Sequence, residues 1–162
     1  MIVMQRIHWT SVYSTGVAQM DSQHQWMMEL VNRVLSAFSR KDAPELLSPS
    51  LLSLVEYTRE HFRDEEALMK SSAYPGQADH KAAHNEHVRW LAHEITGIVK
   101  GDRTNLESVR DFLKTWLINH ILEEDKKTAA YILENAPHLV DRPAPSASDR
   151  TPVVVRKSGR VH

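Results

Sequence analysis

This sequence predicts an all-α chain folded as an antiparallel up-down-up-down four-helix bundle, with an N-terminal arm before the helices and a flexible C-terminal tail after them. Three observations carry that prediction. Apolar residues recur at spacings of three and four through four separate stretches. The breaks between stretches are short and marked by Pro, Gly and polar residues. No segment alternates apolar and polar residues with the period of a strand. Short connections make consecutive helices antiparallel neighbours, and 162 residues suit one core of ordinary size.

The first stretch runs from Asp21 to Phe38 and carries Met27, Met28, Val31, Val34, Leu35 and Phe38 on one stripe. Residues Ser39 to Pro44 break it. The second extends to Lys70, with Leu47, Leu51, Leu54, His61, Glu65 and Leu68 in register, and Pro75-Gly76 closes it. The third, from about Gln77 to Lys100, holds His80, His84, Val88, Leu91, Ile95 and Ile98, with Gly101 placed as its C-terminal stop. The fourth opens on Thr104-Asn-Leu-Glu107, whose capping-box form lets hydroxyl and carboxylate satisfy orphan backbone donors. It continues through Leu106, Val109, Leu113, Trp116 and His120 and should end before Pro137. Beyond that the composition turns to Pro, Ala, Ser, Asp and Arg without periodicity. The expected division is therefore a helical domain over 1–138 and a tail over 139–162, whose protein partner, if it has one, the sequence does not identify.

Composition narrows the chemistry. With 20 Lys plus Arg against 21 Asp plus Glu, no global field recruits nucleic acid or acidic lipid. No apolar run approaches the ~20 residues that span a bilayer, and the first residues lack the basic flank and apolar stretch of a signal peptide, so a soluble, cytoplasmic protein is expected. The absence of Cys excludes disulfides, thiolate metal sites and cysteine nucleophiles. Histidine, at 10 residues, is the anomaly.

Residues four apart share a helix face. His61 and Glu65 have that spacing in the second helix and His80 and His84 in the third, and both pairs lie on the apolar stripe. His24 is in register with Met28, Val31 and Leu35, and His120 with Leu113 and Trp116. All four helices thus aim imidazole at the bundle axis. A lone inward histidine is ordinarily a buried side chain hydrogen-bonded to a neighbour. Five of them and a carboxylate in one core would each need a partner to offset burial, whereas metal ions satisfy them together. His8, His87, His93, His138 and His162 fail this test or lie outside the helices, His87 by the narrowest margin.

An acidic ligand from the fourth helix is still required. Helical spacing from His120 selects Glu124, since Asp125 lies ~140° away around an ideal helix. The motifs, however, resemble those of the bacterial hemerythrins: Trp9, Gly16, Asp21-Ser-Gln-His24, His61-Phe-Arg-Asp-Glu-Glu66, His80-Lys-Ala-Ala-His84 and His120-Ile-Leu-Glu-Glu-Asp125. That family pattern ends on His-x-x-x-x-Asp and so favours Asp125. If Asp125 is the ligand, the helix must widen toward π geometry between the two residues.

The resemblance, which covers about residues 7 to 132, implies a cofactor of two iron ions bridged by oxo or hydroxo. His80, His84 and His120 would bind one iron, His24 and His61 the other, and Glu65 and Asp125 would bridge them. It further implies reversible dioxygen binding for storage, delivery or sensing, without catalytic turnover. Trp116 and Leu117 match family positions flanking the ligand pocket, and Met27 and Met28, one turn beyond His24, are candidates to line it. The competing expectations are a di-iron enzyme acting on peroxide or nitric oxide, and an oxygen- or redox-sensing interaction module.

Overall fold

The computed structural model describes residues 6–39, 44–101 and 106–140. It is a four-helix bundle. Helix α1 spans Ala18–Ser39, α2 Pro44–Ser71, α3 Gln77–Val99 and α4 Leu106–His120. A five-residue π turn, Ile121–Asp125, then leads without a break into α5, Lys126–Asn135. The fourth predicted helix is therefore one rod with a widened turn in its middle, and it does stop before Pro137. Thr104 of the capping box and residues 40–43 of the first break lie outside the described residues.

The helix ends follow local chemistry. Gly101 has φ +92°, the left-handed conformation that terminates a helix without a Cβ penalty. Helix α2 closes earlier than Pro75-Gly76: the Ala73 amide donates to the Lys70 carbonyl and that of Tyr74 to the Met69 carbonyl, with Ala73 itself at φ 54°. Before α1, the Asp21 carboxylate accepts from the Thr15 amide and hydroxyl, both at 2.7 Å, and from the Ser14 hydroxyl at 2.6 Å. The arm is pinned further up where the Asn32 side chain pairs with the backbone of Ile7 through two 2.8 Å hydrogen bonds.

Gly16 sits in that pinned arm at φ +83°, and a Cβ there would meet Leu133 Cδ1 at 3.0 Å. Gly16→Ala combines left-handed strain with a close contact. It should cost about 1–2 kcal/mol in urea unfolding.

The packing explains where the histidines lie. A large apolar cluster gathers Met27 to Ala37 of α1, Leu47 to Val55 of α2, Leu91 and Ile98 of α3, and Val109 to Leu117 of α4. These segments follow the inward histidines on α1 and α3 and precede them on α2 and α4, as antiparallel helices require. A smaller cluster of Val17, Met20 and Ala129 closes the other side. Val140, which the sequence assigned to the tail, packs against this smaller cluster, while 141–162 lie outside the described residues. No helix among the described residues is long and apolar enough to cross a membrane.

Candidate metal centre

Between those two clusters, seven polar side chains converge with almost no access to water. His24, His61, Glu65, His80, His84 and Asp125 are at most 1% exposed, and His120 is 6% exposed. They form two overlapping groups, one of Glu65, His80, His84, His120 and Asp125 and another of His24, His61 and Asp125, each with its donor atoms within 4.8 Å of one another.

The carboxylates join the groups. Glu65 Oε2 lies 3.3 Å from His61 Nε2 and 3.6 Å from His84 Nε2, and Oε1 is 3.5 Å from His80 Nε2. Asp125 Oδ2 lies 2.8 Å from His24 Nε2, while Oδ1 is 3.1 Å from His80 Nε2 and 3.0 Å from His120 Nε2. Each acid therefore touches both histidine sets.

The structure brings in Asp125 and leaves Glu124 half-buried, lining an outer groove of about 520 Å³ with Asp111, Glu123 and Trp116. The reason is the π turn. The Lys126 amide donates to the Ile121 carbonyl five residues back, which lowers the rotation per residue and turns Asp125 onto the face of His120. Such widened turns concentrate at functional sites.

Hydrogen-bond accounting tests whether this cluster suits cations. Both oxygens of Glu65, both of Asp125, both nitrogens of His24 and Nε2 of His61 are buried without a properly aligned hydrogen bond. Orphaned groups of this kind cost free energy. The ring edges facing outward are, by contrast, mostly matched. His61 Nδ1 is 2.6 Å from Gln23 Oε1, His80 Nδ1 is 2.8 Å from Thr128 Oγ1 and His84 Nδ1 is 3.2 Å from Glu66 Oε1. A carboxylate only accepts, so His84 Nδ1 carries the proton and its Nε2 presents a bare lone pair. That nitrogen stands 3.1 Å from His120 Nε2, which is 3.0 Å from His80 Nε2. Lone pairs packed this closely and held by outer partners fit a shared cation.

Electrostatics agree with the geometry. Burial, aided by the neighbouring His120 and His80, pushes His84 down to about 2, so the ring is neutral and able to ligate at pH 7. Glu65 is raised by burial and by the charge of Asp125. Burial acts the same way on Asp125, but the charge of His120 and the close approach of the His120, His24 and His80 rings together outweigh it and hold the carboxyl low. Burial lowers His120, but the neighbouring carboxylates of Asp125 and Glu65 together outweigh it, and the ring is raised.

Gln23, Glu66 and Thr128 were not singled out by the sequence. Apolar periodicity does not report them, although Gln23 adjoins His24 and Glu66 adjoins Glu65 in the motifs. His87, set aside as ordinary, is 4% exposed and lies outside both ligand groups. Its ring stacks on Trp116 at 3.5 Å, and Trp116 in turn stacks on His120 at 4.5 Å. Met27, Met28 and Leu117 are each 2% exposed within the large apolar cluster. Trp116 is half-buried and meets Phe62 edge-on at 5.7 Å, covering the three-histidine end.

His87 supplies a pH prediction. Burial first, then His120, lowers it from 6.5 to about 3. Below pH 6.5 the unfolded chain takes up a proton that the folded ring refuses, so stability falls with acidification. At pH 5 this one group accounts for about 2 kcal/mol. His87→Phe should therefore shrink the loss between pH 7 and pH 5 by that amount in urea unfolding, and an unchanged difference would contradict the buried neutral ring.

A histidine-rich donor set with two shared carboxylates, enclosed in an antiparallel four-helix bundle, defines the class of non-haem metal-binding bundles. Residues 15–132 match the Hemerythrin HHE cation binding domain, and the chain belongs to the hemerythrin family. It is 28% identical over 122 residues to bacteriohemerythrin of Pseudomonas aeruginosa, covering 75% of this chain and 78% of that one. Against bacteriohemerythrin of Methylococcus capsulatus it is 29% identical over 119 residues, with 73% and 90% covered. A crystal structure of wild-type hemerythrin superposes with a TM-score of 0.74 at 26% identity, covering 79% of this chain and 98% of the other.

Proposed function

We propose that the chain binds dioxygen reversibly at a non-haem di-iron centre held by His24, His61, Glu65, His80, His84, His120 and Asp125. The observation that carries this reading is the buried convergence of two overlapping donor groups whose inner atoms lack hydrogen-bond partners. When bound, two irons supply a reversible two-electron couple and a coordination position for a small ligand.

The chain's own residues do the rest. His80, His84 and His120 furnish one end with three imidazoles, and His24 and His61 furnish the other with two, which leaves room for a ligand there. Glu65 and Asp125 tie the ends together. Gln23, Thr128 and Glu66 fix ring orientation from outside. Met27 and Met28, one turn beyond His24, and Leu117 form a dry wall that keeps water and acid from a bound ligand. Oxygen-activating bundles draw on Glu ligands and Glu-x-x-His pairs. This site, richer in imidazole than in carboxylate, suits holding oxygen, and the reading is therefore of a store, carrier or sensor and not an enzyme.

Optical spectra of the iron-loaded, anaerobically reduced protein, cycled between air and argon, test this. The expected result is a visible band that appears with oxygen, disappears on its removal and returns, at one oxygen per two irons. Sustained consumption of peroxide or nitric oxide without a reversible band would instead favour the enzyme.

A further inference from the structure

Resting on that reading, we infer that Asp64 is a positioning residue for the two-histidine end, acting on His61 through the side chain of Gln23. The Gln23 amide bridges two groups. Its Nε2 donates to Asp64 Oδ2 at 2.7 Å, and its Oε1 lies 2.6 Å from His61 Nδ1. An amide side chain can be turned either way round, with opposite consequences for the imidazole beyond it. With Oε1 toward the ring, Nδ1 must carry the proton and Nε2 offers its lone pair to the interior. With Nε2 toward the ring, Nδ1 must accept, the proton moves to Nε2, and ligation at the interior is blocked.

Asp64 decides between these. Its carboxylate only accepts, so it holds the NH₂ end of Gln23 and leaves Oε1 for His61. The relay joins two helices of the site: Gln23 is 8% exposed on α1 beside His24, and Asp64 lies on α2 between His61 and Glu65. Asp64 is half-buried and touches none of the interior donor atoms, yet it sets which nitrogen of His61 faces them. His84 needs no such intermediary, because Glu66 accepts from its Nδ1 directly.

Anaerobic ferrous iron titrations of the full-length chain test the relay with two near-isosteric changes. Asp64→Asn offers either an acceptor or a donor to Gln23 and releases its orientation, so the second iron should bind about 10-fold more weakly, in the range typical of lost outer-shell partners. Adding Gln23→Glu to that variant restores a group that accepts from both the new amide and His61 Nδ1. Affinity should then return to within about threefold of the original. Equal affinity of wild type and Asp64→Asn would overturn the relay. So would a loss that the double variant fails to restore, since that marks structural damage only. Failure of the wild-type chain itself to take up a second iron would overturn the di-iron reading instead. Long-range proton-nitrogen spectra of the zinc-loaded protein give an independent readout: Nδ1 of His61 should carry the proton in wild type and double variant, and a wild-type proton on Nε2 would contradict the relay.

Discussion

Asp125→Asn is expected to weaken iron binding more than about 100-fold, beyond what outer-shell changes cost, while Glu124→Gln is expected to leave it nearly intact. The two acids are neighbours in sequence and similar in chemistry, so the contrast isolates geometry. Asp125 reaches Nε2 of His24, His80 and His120 within 3.1 Å, and its charge would offset those of cations held at either end. An amide there keeps the size but loses the charge and brings an NH₂ donor toward nitrogens meant to face metal. Glu124 looks into a groove open to water, where a carboxylate is solvated and its loss costs little. Iron content after dialysis and the oxygen-dependent band measure both variants. Retention of both irons by Asp125→Asn would remove Asp125 from the ligand set, and their loss in Glu124→Gln would put Glu124 in it.

His61→Ala and His84→Ala should each lower iron from two per chain to one or fewer and abolish the oxygen-dependent band. The substitutions each remove one imidazole beside Glu65, from opposite ends of the cluster: the carboxylate lies 3.3 Å from His61 and 3.6 Å from His84. Thermal stability should fall as well. Saturation at a hundred times Kd adds about 2.7 kcal/mol per site, and each 1 kcal/mol moves Tm by about 2–4 °C in a domain of this size. Two irons and an unaltered band in either variant would remove that histidine from the ligand set.

The helices were legible because burial on one face imposes a period of three to four, and His24, His61, His80, His84 and His120 could be read as inward because they share that period with Val31, Leu54, Leu91 and Leu113. Asp125 breaks the period. A residue five positions on falls on the wrong face unless the backbone widens, and apolar spacing carries no record of a widened turn; the motif resemblance supplied what periodicity lacked. Gln23, Thr128 and Asp64 escaped for a different reason. Gln23 and Thr128 act through single hydrogen bonds to rings 38 and 48 residues away in sequence, and polar residues beside a buried site look the same as polar residues beside solvent. His87 lies about 300° round the helix from His84, close enough to the buried face to be enclosed by Trp116 and far enough to stay out of the cluster. The arm holding Gly16 offered no periodicity, and its path rests on Asp21 and Asn32 reaching back to the backbone.

The most direct test of the central claim, that these seven side chains hold two irons, is an anomalous difference map from crystals of the iron-loaded chain measured at the iron edge. Two peaks are predicted inside the bundle, one among Nε2 of His80, His84 and His120 and one beside Nε2 of His24 and His61, with oxygens of Glu65 and Asp125 against both. A single peak, or iron bound away from these nitrogens, would contradict the account.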